Sequence, residues 1–108
     1  IRNWIDVKDN CSAIYNIFFN GKSGEKYNIA SDNEFKNIDL INIVYDVLSK
    51  YMKVSKKIKF IDDRFGHDFR YGVDANKIKK ELGWSCQNSF KKNLDDYIKK
   101  YLKTNNYE

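Results

Sequence analysis

Glycine, cysteine and histidine are all scarce in this sequence, and each scarcity removes a class of function. The five glycines, Gly21, Gly24, Gly66, Gly72 and Gly83, give no G-x-G-x-x-G spacing. The tight turn that brings a pyrophosphate to a helix N-terminus is therefore missing. Gly21-Lys22-Ser23 has the ending of a P-loop, but the glycine required earlier falls at Asn16, so the segment reads as a surface turn. Two cysteines, Cys11 and Cys86, make no disulfide framework, and with a single histidine they give no zinc-ligand spacing. A reduced, cytoplasmic protein is the expectation. None of the eight tyrosines has a lysine four residues later, so a Tyr-x-x-x-Lys pair is absent, and no Ser/His/Asp order suggests a hydrolase. No apolar run approaches the roughly 18 residues of a membrane span. There is no proline, no repeat and no signal-peptide pattern.

What is present suits one small domain. Hydrophobic residues are 42% of the 108, enough for a core, and aromatics reach 16%. The chain opens on Ile1 and continues with Trp4, Ile5 and Val7, as if inside a strand. The expectation is a piece of a longer protein. Residues 1–54 hold seven basic and seven acidic groups, so the net charge of +5 lies in residues 55–108, with thirteen basic and eight acidic. Most of the excess is lysine spaced between apolar positions, as on solvated helix faces. No nucleic-acid motif accompanies it, so nucleic acid is not an expected partner.

Periodicity predicts helices alternating with short strands. Trp4–Val7 reads as a strand. Asp9 is placed to cap a helix over about 10–20, with Cys11, Ile14, Tyr15 and Phe18 as its buried stripe. Asn20-Gly21 should end it in a left-handed cap. Lys26–Ala30 and Lys57–Ile61 read as further strands. Between them, a helix from Asn37 or Asp39 to about Met52 should turn Ile41, Val44, Tyr45, Leu48 and Met52 inward. Asp74 should cap a helix through Leu82, with Gly83 ending it and Trp84 packing beside the cap. Ser89 opens the last helix, with Phe90, Leu94, Tyr97, Ile98 and Tyr101 on one face. The domain is expected over 1–103, with a frayed tail over 104–108. The fold class is α/β, a small mixed α+β layer whose sheet is too small for a complete Rossmann domain.

One stretch concentrates unusual chemistry. Asp62-Asp63-Arg64-Phe65-Gly66-His67-Asp68-Phe69-Arg70-Tyr71 carries two of the three arginines and the only histidine. Arginine presents a planar fork that matches phosphate oxygens, which lysine does not. A polar loop with two arginines and a histidine around a glycine suits a diphosphate. The competing reading is that Arg64 and Arg70 pair on the surface with Asp62, Asp63 or Asp68.

The stretch Arg64-Phe65-Gly66-His67-Asp68-Phe69-Arg70-Tyr71, then Asp74, Lys77-Ile78 and Glu81-Leu82-Gly83-Trp84, resembles the dTDP-glucose 4,6-dehydratases. That family reads R-P-G-H-D-x-R-Y-x-x-D-x-x-K-[IL] followed by E-L-G-W. Arg2-Asn3-Trp4-Ile5-Asp6-Val7-Lys8-Asp9 is similar to the family's R-[DE]-W-[LI]-x-V-x-D. Gly24-Glu25-Lys26-Tyr27-Asn28-Ile29 with Asn33-Glu34 is similar to G-E-x-Y-N-I…N-E. The similarity runs along the whole chain in order. The departure is Phe65, where the family prefers proline, which would stiffen the loop by fixing φ.

The family belongs to the extended short-chain dehydrogenase/reductases, so the resemblance implies the C-terminal substrate-binding domain with the Rossmann core absent. It implies that Arg2 and Arg64 hold the nucleotide diphosphate, with Asn33 and His67 as further nucleotide-side contacts. It implies an internal redox reaction: hydride leaves C4 of the sugar for NAD, water is lost across C5–C6, and hydride returns to C6. NAD and the catalytic groups would belong to a preceding Rossmann domain, and no catalytic, cofactor or metal residue is expected in these 108. The implied partners are a nucleotide-diphosphate sugar and that Rossmann domain, in a parent that forms a homodimer. The alternatives are a UDP-sugar dehydratase or epimerase of the same superfamily, or a non-catalytic nucleotide-binding module.

Overall fold

Two very short strands and four helices make up the protein, described for residues 1–106 in a computed structural model. In chain order these are β1 (Arg2–Asn3), α1 (Val7–Asn20), β2 (Glu34–Phe35), α2 (Asn37–Leu48), α3 (Asn76–Leu82) and α4 (Phe90–Thr104). β1 and β2 pair antiparallel, Arg2 opposite Phe35 and Asn3 opposite Glu34. Trp4 N–H donates to Asn33 O at 2.9 Å, extending the ribbon by one position. Tyr71 joins the other edge of β1 through a parallel bridge to Arg2. The mixed α/β class expected from periodicity is the class found, with less strand than expected.

α1 begins earlier than its sequence suggested. Asp6 is the cap, its Oδ1 accepting from Lys8 N–H at 2.8 Å. Val7 therefore belongs to the helix, and the strand expected at Trp4–Val7 is replaced by β1. Asp9, expected as the cap, is buried instead. Its Oδ1 accepts from Gln87 N–H at 3.1 Å and its Oδ2 from Asn93 Nδ2 at 3.3 Å. Ser12 Oγ donates to Asp9 O and accepts from Trp84 Nε1 at 2.9 Å. This network ties the first turns of α1 to the 84–93 segment. The buried face of α1 is thus Asp9 and Ala13, with Ile17 packed against them. The expected stripe is wrong: Cys11, Ile14, Tyr15 and Phe18 face outward, Phe18 at 81% exposure. Two apolar stripes share this helix, and the smaller residues take the inside because Ala13 allows close approach to Ile78 and Trp84. Gly21 does not adopt a left-handed cap but is extended at φ −67°, ψ 152°. Its glycine is required by closeness instead, because a Cβ there would lie 2.5 Å from Ile17 O.

The segments 26–30 and 57–61 form no strand, since no neighbouring backbone pairs with them. α2 stops at Leu48 and tightens into turns, with Met52 N–H donating to Leu48 O, so Met52 lies outside the helix. The cap position of α3 is Ala75, although Asp74 Oδ1 still accepts from Asn76 N–H at 2.8 Å. Gly83 closes α3 at φ 63° as expected. Ser89 caps α4, its Oγ accepting from Lys92 N–H. α4 continues through Thr104 with Asn105 as cap; of the tail expected to fray, 107–108 lie outside the described residues. The inner face of α4 is Leu94, Ile98 and Leu102, while Tyr97 and Tyr101 are exposed.

Two small cores result. Ala13, Ala30, Ala75, Ile78 and Trp84 form one, under α1 and α3; Val47, Ile98 and Leu102 form the other, between α2 and α4. Burying a residue such as Ile78 contributes about 1.5–3 kcal/mol, and few residues are fully buried. The polar network around buried Asp9 therefore weighs heavily. Asp9→Ala takes the acceptor from two part-buried N–H groups, with an expected loss of about 1–3 kcal/mol. Urea unfolding of the variant checks this; a midpoint equal to the parent's would rule out the network as a structural tie.

Candidate functional site

The expected site residues come from three separated stretches, and the ribbon decides which of them meet. Tyr71 N–H donates to Ile1 O at 2.9 Å, and the Ile1 backbone nitrogen donates to Phe69 O at 2.8 Å. These bonds lay the end of the 62–72 loop along β1. The Arg2 side chain then turns over the loop. Its Nη1 donates to Ile1 O at 2.8 Å and its Nη2 to Asp68 O at 3.0 Å. The guanidinium also lies 6.0 Å from the centroid of the Tyr71 ring, a cation–π distance.

Arg2, Arg64 and His67 converge. Arg2 Nη2 lies 3.1 Å from His67 Nε2, and Arg64 Nε lies 3.2 Å from His67 Nδ1. Both ring nitrogens thus face an arginine N–H. A neutral imidazole accepts at one nitrogen only and a protonated one at neither. At most one arginine can be satisfied by the ring, and the other is left with a donor to spare. Asp63 Oδ2 stands 3.7 Å from His67 Nε2, but among the described residues no carboxylate reaches ion-pairing distance of Arg2 or Arg64. The cluster is rich in donors and poor in acceptors, and it is open to solvent, with Arg64 exposed and the His67 side chain 24% exposed. An anion with several oxygens matches it.

Asn33 stands apart from this contact. Its backbone N–H donates to Ser31 Oγ at 3.0 Å and its carbonyl accepts from Trp4. Its side chain makes no hydrogen bond among the described residues. Facing residues of an antiparallel pair share a side, so Asn33 and Trp4 lie on the ribbon side of Arg2 and Phe35.

The surface-pairing alternative is overturned in its partners: among the described residues neither Arg64 nor Arg70 pairs with Asp62, Asp63 or Asp68. Arg70 does pair, but with Glu34 of β2 rather than with Asp62, Asp63 or Asp68. The contact is forked: Nη2 to Oε1 at 2.9 Å and to Oε2 at 2.7 Å, Nε to Oε2 at 3.2 Å. Sequence reasoning missed Glu34 as a neighbour of the site. The Asn33-Glu34 dipeptide was the available signal, and it sat 36 residues from its partner.

The pattern of the GDP-mannose 4,6 dehydratase family matches residues 1–97. The chain belongs to that family. Among related proteins, a dTDP-glucose 4,6-dehydratase of Shigella flexneri is 40% identical, over 99% of this chain and 31% of its own length. The dTDP-glucose 4,6-dehydratase 1 of Escherichia coli K12 is also 40% identical, over 94% of this chain and 29% of its own. Two crystal structures share the fold. The dTDP-glucose 4,6-dehydratase of Streptomyces venezuelae, with NAD and TYD bound, superposes with a TM-score of 0.85 at 31% identity, over 97% of this chain and 32% of that one. The Bacillus anthracis enzyme in complex with NAD gives 0.81 at 35% identity, over 94% and 31%. The chain therefore spans about a third of the length of these family members. The resemblance to dTDP-glucose 4,6-dehydratases is borne out.

For this member of the GDP-mannose 4,6 dehydratase family, Arg2 should control the order of the loop. Arg2→Ala removes the donors to Asp68 O and Ile1 O and the contact with His67. Local opening of the loop stem should become easier by about 1–2 kcal/mol. Amide hydrogen exchange at Tyr71 reads this out as a rate roughly tenfold higher; an unchanged rate would show that the backbone alone holds the loop.

Proposed function

We propose that the chain is the substrate-binding segment of a dTDP-glucose 4,6-dehydratase, and that Arg2, Arg64 and His67 grip the nucleotide diphosphate. The observation that carries this reading is the pair of guanidinium groups on one imidazole, with spare donors and, among the described residues, no carboxylate partner for either arginine. Diphosphate oxygens would take those donors in charge-assisted, forked hydrogen bonds. Asn33, on the same side of the ribbon, would contact the nucleotide beyond the phosphates. The relatives' activity as dTDP-glucose 4,6-dehydratases supports a dTDP-sugar over a UDP-sugar.

The residues here do not fit NAD, because the chain has neither a glycine-rich βα turn nor a Tyr-x-x-x-Lys pair. The redox cofactor would be held by the rest of the enzyme, and this chain contributes binding and orientation. Phosphate contacts remote from the reacting carbons supply binding energy that aligns the sugar. The outward face of α1, with Ile14, Tyr15, Phe18 and Phe19 exposed, would be covered by the Rossmann domain in a cytoplasmic, homodimeric parent.

In that enzyme Arg64→Ala should weaken nucleotide-sugar binding by roughly 2–4 kcal/mol, and Arg64→Lys should recover only part, because the fork is lost. Competition binding with dTDP measures both; an Arg64→Ala enzyme of unchanged affinity contradicts the assignment. The 108-residue chain by itself should bind dTDP with a dissociation constant of about 1 mM, worth ~4 kcal/mol, because the ligand is covered on one side only and salt screens exposed charges. Calorimetric titration at two salt concentrations tests this. Micromolar binding that survives moderate salt would favour a self-sufficient nucleotide-binding module.

A further inference from the structure

The Arg70–Glu34 pair lies outside the proposed diphosphate grip, yet its contact is forked. Three hydrogen bonds of 2.7–3.2 Å join one guanidinium edge to both carboxylate oxygens. The pair crosses close over the backbone: a Cβ on Gly72 would lie 2.7 Å from Glu34 Oε1 and 3.5 Å from Arg70 Nε. It joins β2 to the stem of the loop that carries Arg64 and His67. Arg2 reaches that same loop from β1. The two arginines of the diphosphate cluster are thus held by different parts of the chain. Asp62, Asp63 and Asp68 are nearer to Arg70 in sequence and are passed over for Glu34.

We infer that Glu34 and Arg70 are positioning residues: their forked pair clamps the loop stem to β2 and so sets the spacing of Arg64 and His67 from Arg2. This inference rests on the nucleotide reading above. The pair is open to solvent, at 60% side-chain exposure for Arg70 and 31% for Glu34. An exposed pair contributes little to stability. Its forked geometry fixes direction as well as distance, and direction is what a divided phosphate grip requires.

The test is made in the full-length protein with dTDP-glucose. Displacing a binding group by about 1 Å can cost up to ~100-fold, so a clamp acting at second hand should raise KM roughly tenfold when broken. Glu34→Gln and Arg70→Gln should each do so with kcat retained, the signature of lost binding common to ground and transition states. The double variant should be no worse than either single one, because the two act as a unit. Gly72→Ala provides an independent route, since its new methyl displaces the Glu34 carboxylate while both partners remain. It should raise KM in the same direction. The melting temperature should stay near the parent's in all four variants. Arg64→Ala serves as the reference. If it raises KM while Glu34→Gln and Gly72→Ala leave it unchanged, the clamp is overturned and the nucleotide reading stands. If Arg64→Ala itself leaves KM unchanged, the nucleotide reading falls and the clamp falls with it. Additive effects of Glu34→Gln and Arg70→Gln, or a matching fall in melting temperature, would also overturn the clamp.

Discussion

Everything that positions the site passes through the two residues of β1. One edge of Arg2–Asn3 pairs with Glu34–Phe35, and the other takes Tyr71. The Asn3 side chain adds two further bonds, donating to Ser31 O and accepting from Val73 N–H. Segments separated by more than sixty residues are held side by side by a handful of backbone and side-chain hydrogen bonds. Each contributes on the order of 1 kcal/mol net, so the arrangement depends on their acting together. Without β1, Arg2 would lose His67, and Glu34 would lose the frame that sets it against Arg70.

The cores beneath are small and cannot impose this geometry alone. Polar contacts fill part of the gap. Buried Asp9 and the Ser12 hydroxyl fasten α1 to Gln87 and Trp84, and Lys79 pairs with Asp32 at 2.7 Å across the loop before β2. Lys77 pairs with Glu25, which holds the Glu25 carboxyl below and the Lys77 ammonium above their ordinary values. Both side chains reach solvent, so this pair adds direction more than stability. On the α4 side, Asp95 accepts from Tyr51 and Lys50. The Tyr51 hydroxyl is raised and the Asp95 carboxyl lowered, chiefly by their shared hydrogen bond.

Much of this was legible in the sequence, for identifiable reasons. Ser89 and Gly83 act locally, through a side-chain oxygen and a left-handed turn; Ser89 opens α4 and Gly83 closes α3 where expected. Asp9 was misread because a carboxylate near a helix start can cap it or enter the interior; Asp6, three residues earlier, was the competing cap. The Cys11–Ile14–Tyr15–Phe18 stripe has ordinary amphipathic spacing, and nothing local reveals that Ala13 and Ile17 line the core instead. Segments 26–30 and 57–61 have strand alternation, but a strand exists only when another backbone pairs with it. In the loop, arginine and histidine chemistry singled out Arg64 and His67, which the structure brings together. The Arg70–Glu34 pair depends on the ribbon register and was invisible to spacing.

The proposed grip is divided: an arginine from β1 and an arginine from a distant loop would close on one diphosphate beside a single histidine. A crystal structure of the full-length protein with dTDP-glucose measures this directly. The account predicts diphosphate oxygens within about 2.7–3.2 Å of nitrogen atoms on both Arg2 and Arg64, the range of a hydrogen bond, with the Arg70–Glu34 fork intact beside them. A diphosphate bound elsewhere, or held by one arginine while the other stays on His67, would contradict it.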